Sequence, residues 1–167
     1  GTTTTTPAGI SGQTFGKFTW NTPLMSLATT TAILAAATTF NSDFAVVSTG
    51  TLPTNALLLS NTAITVTFNG DVLLQGGTLN TTSAAVVLTL NLNGNYNQSG
   101  GNLTQTGTTA STINFNGVGK SYTRSSGTVT NTYINYGVNS ALASFSLNSD
   151  MDVAASRTFN VTTGTLN

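Results

Sequence analysis

The chain has 167 residues, of which only 5% are charged, and its formal net charge is zero. Four basic residues scattered over this length cannot form the clustered cationic surface that binds phosphates, so we expect neither nucleic acid nor a polybasic membrane site. The absence of cysteine and histidine excludes disulfides, thiolate metal sites and catalysis by either side chain. No apolar run approaches the roughly 20 residues that cross a bilayer, so no membrane insertion is expected.

A composition rich in Thr, Ser, Asn and Gly is also typical of disordered chains, but those are poor in aromatic and β-branched residues. Here eight Phe and four Tyr accompany many alternating Val, Ile and Leu residues, which predicts a folded body. Residues 1–37 fit the pattern least and are assigned to an N-terminal tip and capping segment. Within it, Gly1–Pro7 is expected to be a mobile tip, and Leu24–Ala37 either a capping helix or an irregular first coil.

From Phe18 onward a four-residue phrase recurs about once every 20 to 32 residues: an apolar residue or Thr, a polar one, an apolar one and then Asn. Residues 38–167 are assigned to the repeat domain. The copies of the phrase are FTWN at Phe18–Asn21, TTFN at Thr38–Asn41, VTFN at Val66–Asn69, LNLN at Leu90–Asn93, INFN at Ile113–Asn116 and FSLN at Phe145–Asn148. A period of this length indicates stacked repeats, in which each unit covers its neighbours.

Each repeat predicts three short strands. The alternation of the first strand places one set of side chains inward: Ile64, Val66, Phe68, Leu88, Leu90, Leu92, Ile113 and Phe115. Asn followed by Gly or Ser, as in Asn69-Gly70, predicts the first turn, because both residues tolerate positive φ. The second turn is predicted at Gly50, Gly77, Gly101, Gly127 and Gly164, each followed by a third strand such as Thr78–Asn80 or Thr165–Asn167.

About 24 residues and three strands per coil predict an all-β fold, a right-handed parallel β-solenoid or β-helix with coils about 4.8 Å apart. The alternative is an antiparallel meander, since Asn-Gly also closes β-hairpins. Identical phrases in successive copies favour the stack, in which Asn69, Asn93 and Asn116 would form an amide ladder. Residues 133–138 are expected to add a partial rung or an outward loop.

Acidic residues follow the predicted first turns. Asp43, Asp71 and Asp150 each come after an Asn turn, and Asn95 and Val118 take that column in other coils. Asp43 and Asp71 are therefore candidates for a weak Ca²⁺ site completed by backbone carbonyls, the alternative being solvated turn carboxylates. No other cofactor is expected.

Tyr96 and Tyr122 occupy equivalent positions in neighbouring coils, and Lys120 and Arg124 share the coil of Tyr122. Tyr96, Tyr122, Lys120 and Arg124 are candidates for contact with glycans, whereas a stacked tyrosine pair in the core is the alternative for the two rings. Parallel β-helix polysaccharide lyases place basic residues on such a strand, but no third base or group of acidic metal ligands lies nearby. We therefore expect no catalytic residues and no enzyme activity.

The third strands carry Thr at many outward positions, as in Thr78–Asn80 and Thr128–Thr130. A ladder of Thr hydroxyls on a β-solenoid is how several ice-binding proteins present a regular lattice. The column is interrupted at Pro53, Asn80, Asn102 and Asn167, and an ordinary uncharged outward surface is the alternative.

The stretches LNLNGNYNQSGGNLTQTGTTASTINFNGVGKSY and RTFNVTTGTLN resemble the repeats of large, β-helical secreted surface proteins and adhesins of Bacteroidetes-type bacteria. The resemblance covers about Phe40 to Asn167. It implies an extracellular or cell-surface location and a role as a stalk, fibre subunit or adhesive element. The expected partners are further copies of the chain or flanking domains of a longer one, with surface glycans as a further partner. Because the sequence stops within a repeat phrase, we expect a fragment of, or a unit in, a longer assembly.

Overall fold

The computed structural model describes residues 10–25, 32–130 and 133–167, and these form sixteen strands and no helix. The strands are β1 Thr14–Phe15, β2 Phe18–Asn21, β3 Thr38–Phe40, β4 Phe44–Ser48, β5 Leu57–Leu58, β6 Thr65–Phe68, β7 Val72–Leu74, β8 Thr78–Asn80, β9 Thr89–Leu92, β10 Tyr96–Gln98, β11 Asn102–Thr104, β12 Ser111–Phe115, β13 Val118–Arg124, β14 Thr128–Thr130, β15 Ile134–Leu147 and β16 Phe159–Leu166.

These strands stack into three faces. The first face is β1-β3-β6-β9-β12 followed by the start of β15, the second is β2-β4-β7-β10-β13 followed by the end of β15, and the third is β5-β8-β11-β14. Every strand pairing among the described residues is parallel. The chain is therefore a β-solenoid of about six turns with about 24 residues per coil, and the antiparallel alternative is wrong.

The core runs along the axis of the stack because each coil turns its alternate apolar side chains inward. Seven of the eight predicted inward residues are buried, and Ile64 packs half-buried at the edge of the core. Phe40 stacks on Phe15 and on Phe68, with ring centroids 5.5 and 5.4 Å apart. Each such aromatic pair contributes about 0.5–1.5 kcal/mol beyond its buried area, so the aromatic columns help to hold the coils in register.

Two copies of the phrase were assigned to the wrong face. FTWN lies on the second face, where Phe18 pairs with Phe44, and FSLN lies there too, with Leu147 paired to Tyr122. The first-face copy of that coil is YGVN, since Tyr136 pairs with Ile113. Strands on both faces alternate apolar and polar residues before a turn, so a four-residue phrase does not distinguish them.

The prediction that Gly164 forms a second turn, leading to a third strand, is also wrong. Val161 pairs with Val138 and Leu166 with Phe145, so Gly164 lies between the first and second faces and residues 165–167 continue the second face instead of forming a third strand. Residues 133–138 were expected to add a partial rung or an outward loop, but the start of β15 is the regular first-face strand of its coil, paired with β12 from Ile134 to Gly137. The glycines at 50, 77, 101 and 127 do turn the chain from the second face with positive φ, at 93°, 67°, 68° and 87°.

A regular coil begins at Thr14, inside the segment assigned to tip and cap. Thr14 pairs with Thr39 and Phe18 with Phe44, in parallel. Residues 32–37 are not helical, and Leu34 bridges to Ser60 of the next coil. The predicted tip and the centre of the predicted capping stretch, residues 26–31, lie outside the described residues.

Candidate functional site

The first corner, where the chain passes from the first face to the second, carries a column of asparagines. Asn69 Nδ2 donates to Asn41 Oδ1, and Asn93 Nδ2 donates to Asn69 Oδ1, both at 2.8 Å. The predicted link between Asn69 and Asn93 is confirmed. The predicted link from Asn93 to Asn116 is wrong, because Asn116 Nδ2 donates instead to Asn91 Oδ1, at 3.5 Å.

The ladder stops where the first corner becomes longer. Tyr96 follows Asn93 by three positions, whereas its partner Tyr122 follows Asn116 by six. The added residues form an outward bulge in which Val118 is 65% exposed. The predicted asparagine register requires corners of equal length, so it is wrong from this coil onward.

A second column lies beside the ladder and binds each coil to the next. Asp43 Oδ1 accepts a hydrogen bond from the backbone N–H of Asp71 at 3.3 Å, and Asp71 Oδ1 accepts one from that of Asn95 at 2.8 Å. Asn95 Oδ1 then accepts from the backbone N–H of Ser121 at 3.1 Å, so Ser121, and not Val118, continues the column. These side chains satisfy backbone donors that the turn leaves without a strand partner.

The third predicted member of this column lies elsewhere. Asp150 comes after the second face, since the preceding Asn148 donates its backbone N–H to the Tyr122 carbonyl at 3.0 Å. Asp43 and Asp71 therefore remain the calcium candidates, each with one carboxylate oxygen engaged by a backbone donor. Within the described ranges, no group of three or more acidic, His or Cys side chains is placed to hold a metal ion.

The two tyrosines proposed for glycan contact are core residues. Tyr96 is 3% exposed and Tyr122 2% exposed, and their rings stack 5.1 Å apart. The Tyr96 hydroxyl donates to Gln98 Oε1 at 3.0 Å, and Gln98 in turn donates to the Thr128 carbonyl. Burial raises the pKa of both phenols, that of Tyr96 well above its usual range. The rings are inaccessible to a sugar, so this assignment is corrected to core packing.

The two basic candidates do not converge on a site. Arg124 Nη1 forms an ion pair with Asp152 Oδ2 at 2.7 Å, and the Arg124 backbone N–H donates to Ser149 Oγ at 2.7 Å. These contacts fasten the segment after β15 to the second face. Lys120 lies at the bulged first corner, in β13 opposite Phe145.

On the third face, two of the threonine hydroxyls proposed for ice contact are bonded within the protein, and other polar side chains are nearly buried. Asn80 and Thr104 are each only 8% exposed. The hydroxyls of Thr128 and Thr130 both donate to Asn102 Oδ1, at 3.0 and 3.5 Å. This face is narrow and its polar groups bond to one another.

The first face carries a more regular array of threonines, which was not among the predicted sites. Thr65 pairs with Thr89 and Thr89 with Thr112, while Thr39 pairs with Thr67. We call these five residues the hydroxyl array; none of their hydroxyls bonds to a described residue, and strands β3, β6, β9 and β12 contain no charged side chain. Their rungs repeat about every 4.8 Å. The signal was present in the sequence, as Thr at the polar positions of the first strand.

The final coil leaves apolar side chains exposed to solvent. An open cavity of about 810 Å³ lies there, lined by Leu147, Asn148, Ser149, Asp150, Met151, Val153, Phe159, Val161 and Leu166. Val161 is 47% exposed and Leu166 36%, whereas the corresponding inward residues of earlier coils are buried.

Searches against protein-family models, curated proteins and solved structures found no match to this chain. None of the described residues belongs to a helix long and apolar enough to cross a bilayer.

Proposed function

We propose that this chain is a non-enzymatic structural or adhesive protein of the bacterial cell surface, serving as a stalk, fibre subunit or adhesin repeat region. The observation that carries the proposal is the parallel pairing that continues from Thr14 to Leu166 without a change of direction. In such a stack each coil contacts only its neighbours, so the fold extends in one dimension.

The surface chemistry supports a structural role. The coils from Asn41 to Asn93 are joined by a ladder of neutral amides, which salt does not weaken, and the Arg124–Asp152 ion pair lies near the end of the stack. With the start of β16 counted, the first face has seven rungs, which span about 29 Å along the axis at normal strand spacing. For an adhesive role, surface glycans are the proposed partner, through exposed Asn and Thr side chains in place of the buried tyrosines.

Localisation tests this proposal. An antibody raised against the folded chain should label intact, non-permeabilised cells of the source bacterium, and external protease should remove the label. A cytoplasmic protein of the same cells, probed in parallel, controls for leakage. Labelling that appears only after permeabilisation would exclude an extracellular role.

Ice binding is a second candidate, favoured by the hydroxyl array. Its hydroxyls bond to none of the described residues and lie in register on strands without charged side chains, so they can bond to an ordered water lattice. The first face, not the third face originally considered, would then be the contact surface.

Thermal hysteresis measured on the purified protein tests this candidate. Thr89→Lys places a bulky charge at the centre of the array and should abolish the activity. Thr128→Lys places the same charge on the third face and should leave it unchanged. Absence of hysteresis in the unmodified protein would exclude ice binding and leave the structural proposal unaffected.

A further inference from the structure

The first corner contains three Asn-Gly pairs whose glycine amides are unoccupied. Among the described residues, the N–H groups of Gly70, Gly94 and Gly117 donate no hydrogen bond. The corresponding Ser42 differs, since its N–H donates to the Gly16 carbonyl at 2.9 Å. Three of the four corner asparagines from Asn41 to Asn116 are thus followed by a glycine, which has no side chain to shield its backbone nitrogen and whose N–H makes no hydrogen bond to a described residue.

This arrangement permits a known reaction of the asparagine side chain. The glycine nitrogen attacks the Asn Cγ, a new C–N bond closes a five-membered succinimide ring, and the bond from Cγ to Nδ2 breaks. Ammonia leaves with the proton from the backbone nitrogen. Water then opens the ring to aspartate or isoaspartate, with no change of oxidation state.

The three asparagines differ in how firmly their amides are held. Asn69 is bonded at both ends, donating to Asn41 and accepting from Asn93, each at 2.8 Å. Asn93 is held through Nδ2 alone. Asn116 has only long contacts, at 3.5 Å to Asn91 Oδ1 and at 3.3 Å from the backbone N–H of Asn139. Since the side chain must rotate toward the backbone nitrogen to react, each short bond opposes the reaction.

We propose that the first corner is a site of spontaneous deamidation in which the amide ladder sets the order: Asn116 first, Asn93 second and Asn69 last. Each event replaces a neutral amide with a carboxylate on a chain of zero net charge. Reaction at Asn69 or Asn93 also places a negative charge beside the column of Asp43 and Asp71. The corner thereby acquires charge with age, and its coils lose ladder bonds one at a time.

The test follows the three sites separately by peptide mass spectrometry during incubation in mildly alkaline buffer. In the folded protein, Asn116 should react fastest and Asn69 slowest. In urea, where no ladder exists, the three Asn-Gly pairs should react at similar rates. Equal rates at the three sites of the folded chain, an early reaction at Asn69, or no reaction at any of them would each overturn the proposal.

Variants at Asn41 test whether the ladder hydrogen bond, and not another feature of the fold, slows deamidation of Asn69. Asn41→Ala removes the acceptor for Asn69 Nδ2 and should speed deamidation of Asn69 by about two- to tenfold, the factor given by loss of one ordinary hydrogen bond. Asn41→Asp keeps an acceptor oxygen and should leave Asn69 slow, as should Thr39→Ala in the preceding strand β3. Asn41 is exposed, so the fold should persist, as melting curves will verify. An unchanged Asn69 rate in Asn41→Ala would show that the ladder does not set the order.

Discussion

Gly94 lies so close to the backbone of Gly70, one coil earlier, that no β-carbon fits between the two residues. Neither glycine has a positive φ, so the first corner requires glycine because of close stacking and not because of the left-handed turn first assumed for it. Gly94→Ala should therefore lower the free energy of unfolding by about 1–3 kcal/mol, as overpacking does elsewhere. Denaturant unfolding measures the loss.

Gly16→Ala is the matched control for this substitution, because nothing lies within 4 Å of the added methyl group. It should unfold at the same denaturant concentration as the unmodified protein. If both substitutions have the same effect, contact between coils is not the reason for glycine at the corner.

The assignment of inward and outward faces predicts opposite responses to a new charge. Phe68 is 1% exposed, so Phe68→Asp buries an unpaired carboxylate at a cost of several kcal/mol and should unfold the domain; Leu90→Asp should do the same. Thr67→Asp, next to Phe68 on the outward side, should change the melting temperature little. Circular dichroism melting curves of the three variants decide the matter, and equal losses would contradict the assigned faces.

The buried tyrosines predict a loss of stability in alkali. Burial raises the pKa of Tyr96 and Tyr122, so the folded state keeps protons that the unfolded chain releases above about pH 10. Their stabilising contribution is complete below that pH and is lost as the pH rises toward the folded-state pKa. Denaturant midpoints measured between about pH 9 and 11 should fall.

The double variant Tyr96→Phe/Tyr122→Phe separates this effect from general alkaline unfolding. It lacks both phenols, so its midpoint should fall less over the same pH range, even if its starting stability is lower through loss of the Tyr96–Gln98 hydrogen bond. A decline as steep as that of the unmodified protein would assign the alkaline loss to other groups.

Folding should not depend on calcium. Asp43 and Asp71 provide two carboxylates, each already accepting a backbone hydrogen bond, whereas Ca²⁺ takes six to eight oxygen ligands. Excess chelator should shift the melting temperature by less than about 4 °C, the change expected from roughly 1 kcal/mol. A drop of about ten degrees that calcium restores would make the Asp column a structural metal site.

Much of the fold was predictable because side-chain alternation is local. Thr65–Phe68 alternates strictly, and this alone assigned the buried residues. Face and register are not local: Phe18–Asn21 and Thr38–Asn41 read alike although they lie on different faces. The constant spacing of 23 residues from Asn93 to Asn116 and from Asn116 to Asn139 was the available signal for the correct copy.

The candidate sites were less predictable, because exposure depends on what the next coil covers. The tyrosine pair and the third-face threonines have the residue types of a binding surface. The two tyrosines are nevertheless buried, and the hydroxyls of Thr128 and Thr130 are bonded to Asn102. The bulge at Val118 changes which residues follow in the Asp column. Corner length is set by packing between coils, for which the sequence offers no short motif.

The parallel pairing of successive coils has a mechanical consequence. The hydrogen bonds between coils point along the axis of the stack, so tension between Thr14 and Leu166 pulls them directly apart. Coils should then detach one after another from an end, each releasing about 24 residues, or roughly 80 Å of slack chain. The remaining stack would serve as a template on which a detached coil can rewind when the load falls. Under load, such a domain would lengthen in steps of one coil and shorten again when the load falls.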